Sequence, residues 1–248
     1  MKVRHRLLNF KNKIIYQDDH WFNFSLDSVL LSNFVTIRKN DKNIIDFCTG
    51  NAIIPFLLTY RTSASITGIE IQKCVYELGV ESAVENGFDN QIKLINDDIK
   101  NLVNLFSAGS FDVVTCNPPY FKYTSDKYLN DDYVKCVARH EILVNLEDVV
   151  LNASYLLKNG GTFAMVHQCD RLTEIINLLQ KYNIEPKKLQ FVYPKLGVNS
   201  NMLLIEGVKR GKVGLKVLKP FYVHNDDGSY TKEVKKMFQE WGNINVAI

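Results

Sequence analysis

The chain of 248 residues contains no Cys-x-x-Cys pair and no cysteine–histidine spacing that suits a metal. Its five cysteines, Cys48, Cys74, Cys116, Cys136 and Cys169, are odd in number and far apart, which excludes a disulfide framework and points to a reducing, cytoplasmic setting. No apolar run approaches the roughly 20 residues a membrane span requires, so no membrane role is expected. The basic start Met1-Lys2-Val3-Arg4-His5-Arg6 is followed by no apolar segment with a small-residue cleavage site, unlike a secretory leader. Internal repeats and low-complexity tracts are missing, and nothing points to an obligate protein partner. The glycine signature Gly-x-Gly-x-x-Gly is missing too. Without it a pyrophosphate is poorly cradled, which disfavours a nicotinamide dehydrogenase.

Hydrophobic residues make up 46% of the chain, ordinary for a protein with a real core. The net charge of +3 is unevenly spread. Residues 1–14 hold five Lys/Arg and no acid, and residues 181–236 hold twelve Lys/Arg against five Asp/Glu. Basic ends around a near-neutral middle suit a polyanionic partner, although a solvated lysine-rich surface gives the same count.

Short β-branched runs alternate with helical patterns. Strands are expected over 43–48, 65–70, 92–95, 111–116, 162–167, 189–193 and 202–208. Helices are expected over 29–35, 52–58, 73–86, 99–106, 146–157 and 171–182, with a final one ending near Trp241-Gly242. Gly87 is the C-cap candidate of the third, and Lys158-Asn159-Gly160-Gly161 reads as the end of the fifth. The alternation implies an α/β protein with a doubly wound, seven-stranded, mostly parallel sheet. Only a short loop separates the last two strands, so they should form a hairpin with the final strand antiparallel. Residues 1–42 read as a small N-terminal extension packed on the core, and 43–248 as the main domain with a basic C-terminal region. The extension is rich in aromatics (Tyr16, Trp21, Phe22, Phe24), and Ser25 or Asp27 can cap its helix. Residues 121–140 form a connection longer than usual, marking it as functional or mobile.

The residues with chemical promise fall at strand ends. Asn117-Pro118-Pro119-Tyr120 ends the fourth strand, where two prolines stop the ladder. In open α/β sheets that edge binds ligands. The Asn117 side-chain oxygen and the Pro118 carbonyl can accept the two hydrogens of a planar amine, and Tyr120 can stack on its plane, with Phe121 or Tyr123 assisting. Asp46-x-x-x-Gly50 turns the first strand into a helix, with Ala52 where a second glycine would stand. Glu70 ends the second strand, 20 residues beyond Gly50, a spacing that suits ribose hydroxyls. Ile71 follows it in the same turn. Asp98, with Asp97 as the competing candidate, ends the third strand and can accept from an adenine amine. Each acid alone could be a loop or cap residue, Asp27 included, which either caps its helix or reaches the ligand. The ordered set suits an adenosine cofactor without phosphate, and S-adenosyl-L-methionine is such a molecule.

Asp46-Phe47-Cys48-Thr49-Gly50, Gly68-Ile69-Glu70 and Asn117-Pro118-Pro119-Tyr120 resemble the motifs of class I, Rossmann-like S-adenosylmethionine-dependent methyltransferases that act on amino groups. A finer resemblance is to the bacterial valine-tRNA adenine-N6 methyltransferase family. It rests on the stretch from Phe24 to Leu31, on Ala138-Arg139-His140-Glu141 and on the stretch from His224 to Thr231. Ala52 and Ser25 depart from it, where the family usually has glycine. The resemblance implies Asp46, Gly50, Glu70, Ile71, Asp98 and Asp27 as cofactor-binding residues and Asn117, Pro118, Pro119 and Tyr120 as catalytic ones. It implies tRNA as partner, through the anticodon stem-loop and body, and the adenosine 3′ of the anticodon as target. Three rivals stay open. One is an adenine-N6 methyltransferase of ribosomal RNA or DNA. A second is a protein glutamine methyltransferase, although only about 43 residues precede the first core strand where such enzymes carry a larger helical domain. The third is a non-catalytic RNA-binding module.

Overall fold

The structure, a computed structural model, describes residues 2–7, 13–18, 26–120, 141 and 143–243. The cluster Trp21 to Phe24, the cap candidate Ser25 and the connection 121–140, with Phe121, Tyr123, Cys136 and Ala138-Arg139-His140, lie outside the described residues.

The chain opens with a hairpin of β1 (Lys2–Arg6) and β2 (Ile14–Asp18), followed by α1 (Leu26–Phe34). Then come β3 (Asn43–Phe47), α2 (Ile53–Thr59), β4 (Ser65–Glu70), α3 (Lys73–Asn86) and β5 (Ile92–Asn96). A 3-10 turn (Ile99–Asn101) leads into the short α4 (Leu102–Leu105) and β6 (Phe111–Cys116). The second half holds α5 (Leu146–Leu156), β7 (Leu157–Gln168), α6 (Leu172–Lys181), β8 (Ile184–Tyr193) and β9 (Met202–Lys209). Two short strands, β10 (Lys216–Val217) and β11 (Phe221–Tyr222), precede α7 (Lys232–Asn243). None of the helices is long and apolar enough to cross a membrane among the described residues.

The main sheet runs β10-β8-β9-β7-β6-β3-β4-β5, with β11 also beside β8. Neighbours are parallel except β9, which runs antiparallel to both β7 and β8. The doubly wound, seven-stranded, mostly parallel sheet is therefore present, with its antiparallel strand inserted between two others. The two-residue strands β10 and β11 extend it beyond the expected seven. Central strands are mostly apolar because helices cover both faces: Ile44, Ile45 and Phe47 of β3 and Val113, Val114 and Cys116 of β6 are all 0% exposed. The chain order reverses at β3, which pairs with β4 on one side and β6 on the other. Helices leaving to opposite faces open a crevice there at the carboxyl ends of the strands.

Three elements differ from the sequence expectation. The β1–β2 hairpin was not foreseen. It is held by α3: the Asn86 side chain accepts from the Ile14 N–H at 3.0 Å and donates to the Ile14 carbonyl at 2.7 Å, while Ser82 Oγ accepts from the Tyr16 N–H at 2.9 Å. β7 begins at Leu157, the last residue of the expected helix, and runs through Lys158-Asn159-Gly160-Gly161, expected to end it. Gly160 turns there at φ 81°, and a Cβ on Gly161 would lie 2.9–3.0 Å from the carbonyl oxygens of Lys158 and Asp112. β8 begins at Ile184 and runs through Pro186, whose missing N–H coincides with a register shift between Pro186 and Lys188.

The hairpin also changes the reading of the basic N-terminus. Lys2 pairs with Glu81 and Arg4 with Glu85 on α3, so these cations are engaged within the chain. Next to the hairpin, α1 is fixed at its far end by Glu206 of β9. That buried carboxylate accepts from the Thr36 N–H at 2.7 Å and hydroxyl at 2.9 Å and pairs with Lys188 at 3.0 Å. The Arg61 guanidinium donates to the carbonyls of Ser32 and Val35. Held in this way, α1 presents its first turn to the carboxyl end of β6.

Candidate active site

The β3–α2 turn is built on a buried carboxyl. Asp46 is 0% exposed and accepts the hydroxyls of Thr49 and Thr115, each at 2.6 Å. Burial pushes its pKa up to about 7; the Thr115 and Thr49 hydroxyls hold it down, and the Glu70 charge adds to the rise. Positive φ recurs through the turn, at Cys48 (53°), Gly50 (59°) and Ala52 (69°). Such backbone costs about 1–2 kcal/mol at a residue with a Cβ, and strain of this kind is common where a loop closes on a ligand. Space for the turn comes from glycines elsewhere. A Cβ on Gly68 would sit 2.9 Å from Thr49 Oγ1, and one on Gly79 of α3 would sit 3.3 Å from the Asn51 backbone carbon.

Glu70 closes the turn. Its carboxylate, 5% exposed, accepts the Gly50 N–H and the Gln72 N–H, each at 2.8 Å. Burial raises its pKa, and the N–H groups of Gln72, Gly50 and Ile71 hold it down. Two carboxyls raised by burial have a consequence for stability. Folding takes up protons between their unfolded pKa values near 4 and their folded ones, so stability falls as the pH rises from about 4 to about 7. The Asp46 shift alone amounts to about 4 kcal/mol if fully expressed. Urea titrations across this pH range are expected to show that fall, and Asp46→Asn to flatten most of it; an equal slope in the variant would refute the assignment.

A cleft of about 970 Å³, counted out to its open mouth, lies over this turn. Of the residues singled out from sequence, Gly50, Glu70, Ile71, Asp97, Asp98, Asn117 and Pro119 line it. Asp46 lies beneath Thr49. Asp97 and Asp98 each commit one oxygen to their own turn: Asp97 Oδ1 accepts from the Asp98 N–H at 2.7 Å, and Asp98 Oδ1 from the Lys100 N–H at 2.9 Å. Ser28, Asn51, Gln72, Val75, Leu143 and Val144 also line the cleft and were not foreseen. Ser28 and the pair Leu143-Val144 come from segments distant in sequence, with no strand-end signal to mark them.

At one end of the cleft stands Asn117. Its Nδ2 donates to Ser28 Oγ at 3.3 Å, and its Oδ1 lies 2.6 Å from the Tyr120 hydroxyl. The same hydroxyl lies 2.9 Å from Asp27 Oδ2. One phenolic proton thus faces two acceptors. Burial, then the Asp27 charge, holds the Tyr120 pKa well above that of a free phenol. Asp27 therefore meets Tyr120 rather than the cleft wall. Pro118 and Pro119 are buried behind this corner. The Tyr120 ring leans on His167, a residue the sequence did not single out, with ring centroids 5.4 Å apart.

A doubly wound sheet with a nucleoside-sized cleft at the ends of β3 to β6 is the architecture of Rossmann-like methyltransferases. A family model described as a methyltransferase domain matches residues 38–242, and the chain belongs to that family. The chain is similar to the tRNA1(Val) (adenine(37)-N6)-methyltransferase of Bacteroides fragilis, 23% identical with 92% of this chain and 96% of that protein covered. It is also similar to the protein of the same name from Porphyromonas gingivalis, 29% identical over 74% of this chain and 73% of that one. Among solved structures, a predicted O-methyltransferase from Agrobacterium tumefaciens superposes with a TM-score of 0.68 at 19% identity, covering 87% and 97% of the two chains. Geranyl diphosphate C-methyltransferase from Streptomyces coelicolor A3(2), in complex with S-adenosyl-L-homocysteine, gives 0.55 at 12% identity, covering 73% and 76%. At such identities these structures speak for the fold.

Proposed function

We propose that the protein transfers a methyl group from S-adenosyl-L-methionine to N6 of an adenosine in tRNA, the one 3′ of the anticodon in valine tRNA. The observation that carries this reading is the Asn117 amide standing at the end of a cleft whose other wall holds Glu70. The names of the relatives support the tRNA adenine.

The residues present fit the cofactor. Glu70 would hold the ribose hydroxyls, with Ile71 beside them. Asp98 would accept from the adenine amine. The amino-acid end would lie near Gly50 and Asp46, where a cationic group favours the ionised form of the buried carboxyl. The turn has no second glycine, and none is needed for a cofactor without a pyrophosphate. The bound cofactor supplies an electrophilic methyl group.

This chain's own residues do the rest. The N6 lone pair is delocalised into the ring, so the amine is a weak nucleophile. Accepting its hydrogens at Asn117 Oδ1 and the Pro118 carbonyl favours a pyramidal nitrogen and stabilises its growing positive charge. Tyr120 stacks on the base once its hydroxyl leaves Asn117. An anticodon-loop base is already outside a duplex, so it reaches the site at modest unstacking cost. The proton leaves after transfer, so no strong base is required, and positioning supplies most of the rate. With Lys2 and Arg4 engaged by α3, phosphate binding falls on the exposed Lys195, Arg210, Lys212, Lys216 and Lys219 near the β8 edge. Affinity should then fall as salt rises. In this reading residues 1–42 form an extension that supplies Asp27 and Ser28 to the domain beginning at residue 43, and the enzyme works in the cytoplasm.

The test is incubation with labelled cofactor and unmodified total tRNA, followed by nucleoside mass spectrometry. Label in N6-methyladenosine of valine tRNA is expected. Label in protein rather than in N6-methyladenosine would favour the glutamine reading instead, and no calorimetric cofactor binding would favour a non-catalytic RNA-binding module.

A further inference from the structure

His167 lies near the end of β7 beside the catalytic corner and takes no part in the chemistry above. Its ring is 0% exposed. Nδ1 accepts the Gln168 N–H at 2.8 Å, which leaves the ring proton on Nε2. Among the described residues that Nε2 is buried and has no hydrogen-bond partner. A buried donor left unpaired costs about 1–3 kcal/mol, so its retention calls for a partner that arrives later.

Two observations say where the partner enters. The Tyr120 ring lies against the His167 ring at 5.4 Å. The Tyr120 hydroxyl sits 2.6 Å from Asn117 Oδ1, the oxygen an incoming amine requires. Displacing one side chain therefore frees an acceptor and opens the space beside the His167 ring. An adenine presents a matching pair, its N6 amine flanked by the ring acceptors N1 and N7.

Charge decides between a base and a phosphate. Burial, then the Arg171 charge, lowers the His167 pKa to about 4, so the ring is neutral near pH 7. Arg171 itself is forked onto Glu174 by two hydrogen bonds of 2.8 Å and reaches Glu141 at 3.2 Å. Its Nη1 is a second buried donor without a partner among the described residues, but its charge is already met by two carboxylates. Two donors without net positive charge suit a neutral acceptor.

We propose that His167 reads the target base: once Tyr120 is displaced, its Nε2–H donates to a ring nitrogen flanking the N6 amine that Asn117 holds. The inference rests on the adenine-N6 reading and adds a residue that specifies the base.

The experiment uses the full chain and anticodon stem-loop RNAs bearing adenosine, 1-deazaadenosine or 7-deazaadenosine at the target position. For the wild type, one of the two analogues should lower kcat/KM by about 10- to 100-fold, since it leaves the buried Nε2–H without its acceptor. His167→Phe keeps a ring against Tyr120 and removes the donor. It should lower kcat/KM for adenosine by a similar factor and show no further loss with that analogue, the signature of a direct pair in a double-mutant cycle. Calorimetric cofactor binding shows whether the variant is folded; if it is not, the wild-type comparison of the three RNAs still decides. Equal rates on all three RNAs would overturn the proposal, as would discrimination that persists in His167→Phe. If no adenosine RNA is methylated at all, the adenine reading falls and takes this inference with it.

Discussion

Asn117→Ala is expected to lower the rate of methyl transfer by about 10²–10³-fold and to leave cofactor affinity within about twofold. Among the described residues its side chain makes two hydrogen bonds, with Ser28 Oγ and with the Tyr120 hydroxyl, and neither partner belongs to the turn that holds Glu70. Removing the amide deletes the acceptor that stabilises a developing positive charge, an interaction strongest in the transition state. Such a loss shows in kcat rather than in binding. Single-turnover rates and calorimetric titration of the cofactor separate the two. A matched fall in both would instead indicate that the corner no longer folds, because Tyr120 and Ser28 lose their shared partner.

Glu70→Ala should do the reverse. Cofactor affinity should fall by at least about 10²-fold, because charged hydrogen bonds contribute roughly 1.5–3 kcal/mol each and a ribose offers two. With saturating cofactor, kcat should stay within about threefold of wild type. The same change strands the Gly50 and Gln72 N–H groups, each now 2.8 Å from a carboxylate oxygen. A lower thermal midpoint is therefore expected even without cofactor. Glu70→Gln keeps one accepting oxygen and should fall between the two. A Glu70→Ala enzyme with unchanged cofactor affinity would remove the ribose from this wall of the cleft.

Strand-end chemistry was legible in the sequence because it is local. A β-branched run, a turn and a helix start within a few residues place Gly50, Glu70, Asp98 and Asn117 at the same sheet edge without any knowledge of packing. The reversal of strand order at β3 then brings them around one cleft. What was not legible depends on contacts between distant segments. Lys2 to Arg6 reads as a basic tail, and it becomes a strand by pairing with β2, which Ser82 and Asn86 hold, and by meeting the acids of α3. Ser28 looks like one more polar residue in an apolar helix until α1 is docked beside Asn117. His167 lies near the end of an apolar strand, as core histidines often do, and becomes notable through an Nε2 without a partner among the described residues and the Tyr120 ring against it.

The close approach of Gly79 to the turn backbone at Asn51 bears on how such turns are recognised. A glycine in a nucleotide-binding fingerprint serves two needs, backbone freedom and room for a neighbour, and here they are divided between two residues. Ala52 supplies the left-handed backbone at φ 69° while keeping its methyl group, and Gly79 on α3 gives up the side chain that would press on the Asn51 backbone carbon at 3.3 Å and on Leu94 at 3.0 Å. A pattern that inspects the turn alone sees a missing glycine, whereas the folded chain carries it on the next helix.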